Sequence, residues 1–159
     1  MPMSTFFIEN SELITRLAVA LLLGALIGAE RLFVHKEAGM KTHALVSLGA
    51  AVFVIISEQM AQKYIGLVGF NPTMMASQVI VGIGFIGAGV IIFREQESRL
   101  MGLTTASGLW VAAGIGMASG LGFFNLAVIT TVLVLIILVA MNLLEKPIRK
   151  ISENGDKKY

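Results

Sequence analysis

From Leu100 to Leu144 the chain carries no charged residue. One membrane crossing needs about 20 apolar residues, so this run is more than twice the length of a single span. It must hold two helices and a tight reversal. Ser119-Gly120-Leu121-Gly122 is the best reversal, because glycine is dense there. That predicts a span over about 103–118 and another over about 123–144. The second is rich in Val, Ile and Leu, as expected of a lipid-facing outer helix. The whole chain agrees with a bilayer as solvent. Only 14% of its residues are charged and 56% are hydrophobic, against about 25% charged in a soluble domain. Its mean hydropathy is +0.84.

Upstream, Gly82-Ile83-Gly84-Phe85-Ile86-Gly87-Ala88-Gly89 is glycine and apolar residues only. In water such a helix is weak, since each interior glycine costs about 0.5–1 kcal/mol against alanine. In lipid the backbone has no other partner and stays helical. Gly82, Gly84, Gly87 and Gly89 then offer close-approach surfaces, and this span, about 72–93, is expected to be the packing spine of the bundle. Asn71 and Pro72 read as its cap and first helical residue. Gly82, Gly84 and Gly87 also spell G-x-G-x-x-G. The membrane-like flanks and the serine at position 107, where an acidic residue belongs, argue against a nucleotide site.

The first span covers about 12–33. Asn10 or Ser11 suits its cap, with Glu12 in the first turn. Arg16 near one end is expected to snorkel to the headgroups. Gly24, Gly28, Arg31 and His35 share one face, and Gly24 and Gly28 form a GxxxG pair. Gly39 is placed to end the incoming helix. The second span covers about 42–58. The segment before the first span, 1–10, has no basic region or evident cleavage site, so that span reads as retained. The expected fold is therefore an all-α polytopic bundle of five transmembrane helices over 1–145, with a basic and partly disordered tail over 146–159.

Charge fixes the expected orientation. Of the twelve Lys and Arg residues, all but Arg16 and Lys63 fall in the first loop, the third loop or the tail. The positive-inside rule then puts the N-terminus outside and the C-terminus in the cytoplasm. The same pattern accounts for the net charge of +2 without invoking nucleic acid.

In this topology the polar residues gather near the cytoplasmic ends. Glu30, Arg31, Thr42, His43, Arg94, Arg99, Thr104, Thr105, Ser107 and Trp110 form a candidate polar cluster, with Gly108 as a further packing glycine. Glu30 and Arg31 are adjacent and point apart, so Glu30 is expected to pair with Arg94 or Arg99, and Arg31 with Glu95 or Glu97. The alternative is that both snorkel. Thr104, Thr105 and Ser107 either bond back to their own helix or line a path through an unwound span. Trp110 is expected against the glycines of the third span. His35 and His43 lack a third ligand for a metal, and with no cysteine there is neither a disulfide nor a thiolate. No nucleophile–base pair is visible, so no enzyme, cofactor or metal is expected.

Four ordered blocks resemble the MgtC/SapB family of bacterial inner-membrane proteins. They are Gly24-x-x-x-Gly28-x-Glu30-Arg31, Ala38-Gly39-Met40-Lys41-Thr42-His43, the glycine run 82–89, and Gly102-Leu103-Thr104-Thr105-Ala106-Ser107-Gly108-Leu109-Trp110. The resemblance implies five spans and a link to magnesium limitation, either as a transporter or as a regulator of other membrane machinery. The chain reads as a short member without the family's C-terminal cytoplasmic domain. It also lacks the cysteine that some members use, and has Asn71-Pro72 where an acidic residue often stands. Glu30, with Arg31 beside it, is a poor path for Mg²⁺, which prefers carboxylates and retained waters. The expected role is therefore non-enzymatic, acting by helix packing in a homodimer or other homo-oligomer, or against another membrane complex. A small oligomeric ion transporter or channel is the alternative.

Overall fold

The structure is a computed structural model that describes residue 8 and residues 10–64, 73–94 and 99–156. Five helices follow one another: α1 (Ser11–Phe33), α2 (Met40–Lys63), α3 (Thr73–Val90), α4 (Leu103–Gly120) and α5 (Phe124–Asp156). A two-stranded antiparallel hairpin, β1 (Ile92–Arg94) and β2 (Arg99–Met101), separates α3 from α4. α1, α2, α3 and the 124–144 part of α5 are long and apolar enough to cross a membrane.

α4 does not meet that measure, yet it is the centre of the molecule. Thr105, Gly108, Leu109, Ala112, Ala113, Ile115, Gly116 and Ala118 to Gly120 are all buried. Its composition follows from its position. A helix enclosed by other helices needs small residues for close approach and is released from the demand for bulky apolar ones. It is also one continuous helix, so the unwound span considered above is not found.

Glycines in α1 and α4 make the close contacts. A Cβ on Gly24 would lie 2.7 Å from the His43 carbonyl oxygen and the Ser47 Cβ, and one on Gly28 2.5 Å from the Met40 Cα. On α4, Gly116 lies directly against the Ser47 carbonyl, and a Cβ on Gly120 would come within 2.7 Å of the Ala51 carbonyl oxygen. Ser47 completes this three-helix junction by donating its hydroxyl to the Ala20 carbonyl at 2.7 Å. A second apolar cluster joins α1, α4 and α5 through Ile27, Ile115, Ala118, Ala127 and Leu138.

The expected spine is therefore corrected. Among the described residues, Cβ atoms on Gly82, Gly84 and Gly89 would meet nothing within 4 Å, and one on Gly87 only Ala106, at an ordinary 3.6 Å. In α3 only Ile83 and Gly87 are buried. The helix stops at Val90, short of the expected Phe93, and the hairpin follows. Gly102 closes the hairpin at φ 87°, with its Cα against the Val90 carbonyl, a place for no other residue. Asn71 and Pro72 lie outside the described residues.

The first reversal also differs from expectation. His35, not Gly39, ends α1. It takes φ 55°, its N–H bonds to the Leu32 carbonyl, and the Lys36 N–H bonds to the Arg31 carbonyl. This is a Schellman turn with histidine in the left-handed position. Gly39 becomes the N-cap of α2. α4 ends at the predicted reversal, with Gly122 at φ 77° and the equivalent pair of bonds. α5 exposes Leu126, Ile129, Leu133 and Ile137 and buries Ala127 and Thr131. It runs on as helix to Asp156, where a loose tail was expected.

Candidate functional site

At the end of the bundle where α1 finishes and α2 and α4 begin, a polar cluster is enclosed among apolar helices. Arg31 is only 1% exposed. The spacing that puts it on the face of Gly24 and Gly28 turns it toward the start of α2. Its Nε donates to Glu30 Oε2, and the Asn142 amide of α5 donates to Glu30 Oε1 at 3.2 Å. The expectation that the adjacent Glu30 and Arg31 point apart is thus corrected. Glu30 and Arg31 pair with each other, because both are held off lipid, where an ionic contact is strongest and an unpaired charge most costly. Neither snorkels. The side chains of Arg94 and Arg99, and all of Glu95 and Glu97, lie outside the described residues.

His43 is fully buried. Its Nδ1 lies 3.0 Å from the Gly39 carbonyl, which can only accept, so Nδ1 carries a proton, and in the neutral ring Nε2 is then the acceptor. Nε2 and Arg31 Nη2 are both enclosed and without a hydrogen-bond partner among the described residues. Nε2 points at Gly108 of α4.

Beside this cluster a cavity of about 300 Å³ opens at the same end, lined among others by His35, Lys36, Gly102, Thr104 and Thr105. Thr105 is buried, whereas Thr104, Ser107 and Thr42 are exposed. Ser107 bonds back to the Leu103 carbonyl at 2.9 Å, the local choice considered above. Trp110 is 54% exposed and does not pack on the α3 glycines. Of the sequence candidates, the structure joins Glu30, Arg31, His43 and Gly108, with Thr105 close by. Among the described residues no group of three or more His, Asp or Glu could hold a metal ion.

Sequence reasoning missed Asn142, although it is the one carboxamide between Asn125 and the end of the uncharged run. It also missed a second cluster at the opposite end. There Arg16 does not snorkel: it bonds Glu58, Glu12 at 2.6 Å and the Gly120 carbonyl at 3.0 Å. One guanidinium thereby ties α1 to α2 and neutralises the C-terminal dipole of α4. The opposite charges of Arg16 and Glu58, each alone near the end of an apolar run, were the available signal.

Apolar helices around inward-turned ionic clusters define a polytopic α-helical membrane protein. The model of the MgtC family matches residues 17–147, and the chain belongs to that family. It is 40% identical over 131 residues to the Escherichia coli K12 protein named "Putative magnesium transporter YhiD", which covers 81% of this chain and 60% of that one. It is 42% identical over 137 residues to the "Protein MgtC" of Brucella abortus strain 2308, covering 86% and 52%. With the "Protein MgtC" of Salmonella typhimurium strain 14028s it shares 40% over 148 residues, covering 92% and 60%. The chain thus spans between about half and three-fifths of the length of these relatives. No solved structure matches it.

Proposed function

We propose that this protein serves magnesium or ion homeostasis in the bacterial inner membrane without catalysing a reaction, by docking a transmembrane helix against α3. The docked helix belongs to a second copy or to another membrane complex. The observation that carries this is the open glycine around Phe85. Among the described residues a Cβ on Gly82, Gly84 or Gly89 would meet nothing within 4 Å, and Phe85, with Gly82 and Gly89 on one side of it and Gly84 on the other, is 84% exposed. An outer helix that faces only lipid does best with bulky side chains, as α5 has. Bare backbone toward lipid forfeits dispersion contacts, which an apposed helix restores. Beside this face a groove of about 760 Å³ runs between α2 and α3, lined by apolar residues that include Gly49, Phe53, Met75, Gly82 and Ile86. Membership of the MgtC family and the name of the YhiD relative support the homeostatic role.

In this reading all five helices cross the bilayer. α4 does so inside the others, and the basic loops put the C-terminus in the cytoplasm and the N-terminus outside. The Arg31–His43 cluster then lies toward the cytoplasmic headgroups.

Leucine at position 84 tests the docking. Gly84→Leu meets open space within the chain, so its thermal unfolding in detergent should stay within about 0.5 kcal/mol of the parent, as for surface substitutions. Its growth under magnesium limitation and its native-membrane complex should be lost. Normal growth and an unchanged complex would reject the docking reading. The YhiD name and the unpartnered Arg31 and His43 atoms favour one second reading, a small oligomeric transporter. Saturable Mg²⁺ flux in proteoliposomes, equal in the parent and Gly84→Leu, would establish it instead.

A further inference from the structure

Thr105 is 1% exposed, and its hydroxyl has no hydrogen-bond partner among the described residues. Ser107, Ser119 and Thr131 each donate to a carbonyl one turn earlier on their own helix, and Thr105 does not. Its oxygen is not sealed in as His43 Nε2 is, so its opening is onto the 300 Å³ cavity that Thr105 lines. Gly102, Leu103 and Thr104, the start of the 18-residue α4, line the same cavity. Gly102 is the N-cap and brings no side chain to the first turn. The leading N–H groups of a helix have no intrahelical acceptor, and the dipole there favours negative charge. Lys36 and Glu37, from the turn between α1 and α2, complete the polar wall and form no ion pair among the described residues.

We propose that this cavity binds a phosphate group, with the first turn of α4, the Thr105 hydroxyl and the Lys36 ammonium as its donors. A buried hydroxyl left without a partner at a cavity wall marks a polar occupant. Amide N–H, hydroxyl and ammonium groups select one that accepts. A carboxylate offers two oxygens in one plane. A tetrahedral phosphate offers oxygens in several directions and can accept from α4 and from the α1–α2 turn together. At about 300 Å³ the cavity has room for it. Glu37 offsets Lys36, so the helix end and the hydroxyl carry the recognition and Glu37 opposes it. The phosphate is that of a lipid headgroup or a free one. A headgroup needs this end of the bundle at the membrane surface, as the proposed orientation has it; a free phosphate does not. Neither depends on whether α3 docks a partner.

The test is ¹⁵N-threonine NMR of the full chain, delipidated in maltoside micelles, which carry no phosphate. Inorganic phosphate and a short-chain phosphatidylglycerol are titrated separately. The Thr104 and Thr105 amides should shift and saturate with at least one of them, and which one identifies the source. Read at Thr104, Thr105→Val should weaken binding about tenfold or more, as for a lost hydrogen bond to a charged group. Thr105→Ser, which keeps the hydroxyl, should bind within a few-fold of the parent, and Glu37→Gln should bind more tightly. Lys63→Gln, at the other end of α2, should change nothing. No saturable shift with either probe, or equal affinity in Thr105→Val and the parent, would overturn the proposal. Glu37 is exposed, so a Glu37→Gln chain that binds no more tightly would overturn it even if Thr105→Val fails to fold.

Discussion

Arg31 shows how a residue takes its role from distant parts of the chain. Side chains at i and i+1 of a helix do not normally face each other, yet Arg31 and Glu30 bond because both are shut away from water and lipid. Asn142, far along the chain, holds the other carboxylate oxygen. Nothing local announces that contact, so Glu30, Arg31 and His43 were legible as candidates, but neither their pairing nor the part of Asn142 was. The energetics predict an asymmetry. Arg31→Met strands the Glu30 carboxylate and should cost about 3–5 kcal/mol, as for a broken buried pair. Adding Glu30→Gln, which keeps the hydrogen bond to Asn142, should recover much of that loss. Unfolding of both variants in the same detergent checks this, and equal destabilisation would contradict it.

At the scale of the element, hydropathy and glycine content misplace the core. α3 has the densest glycine run, yet its face stays open. α4 is the least lipid-like helix, yet it is central. Sequence pattern locates each helix and the reversal at Gly122 well, because spans and turns are set locally. It cannot say which small face is used, since a GxxxG-type surface serves contacts inside a chain and between chains equally. Helix ends are subtler. Gly39 looked like the terminator of α1, but His35 occupies the left-handed position two residues beyond the helix. His35→Gly should therefore be neutral or stabilising by up to about 1 kcal/mol, since glycine adopts that conformation without steric cost. His35→Val should destabilise, because a β-branched residue at positive φ is strained. Thermal melts of the two variants should move in opposite directions or, for glycine, not at all. A large loss in His35→Gly would assign the ring a contact that outweighs backbone strain.

The whole molecule is a bundle pinned at both ends. Arg16 with Glu58, Glu12 and the Gly120 carbonyl closes one end, and Arg31 with Glu30 and Asn142 closes the other. Between the two clusters, α1, α2 and α4 meet through glycines, while α3 rests on them with its outer face bare. The central claim is that in the membrane this face is covered by protein. A photo-crosslinking amino acid at position 84, compared with one at Leu133 on the exposed face of α5, tests it in native membranes. Protein adducts at position 84 and lipid adducts alone at 133 are the predicted result; lipid adducts alone at both positions would contradict the account.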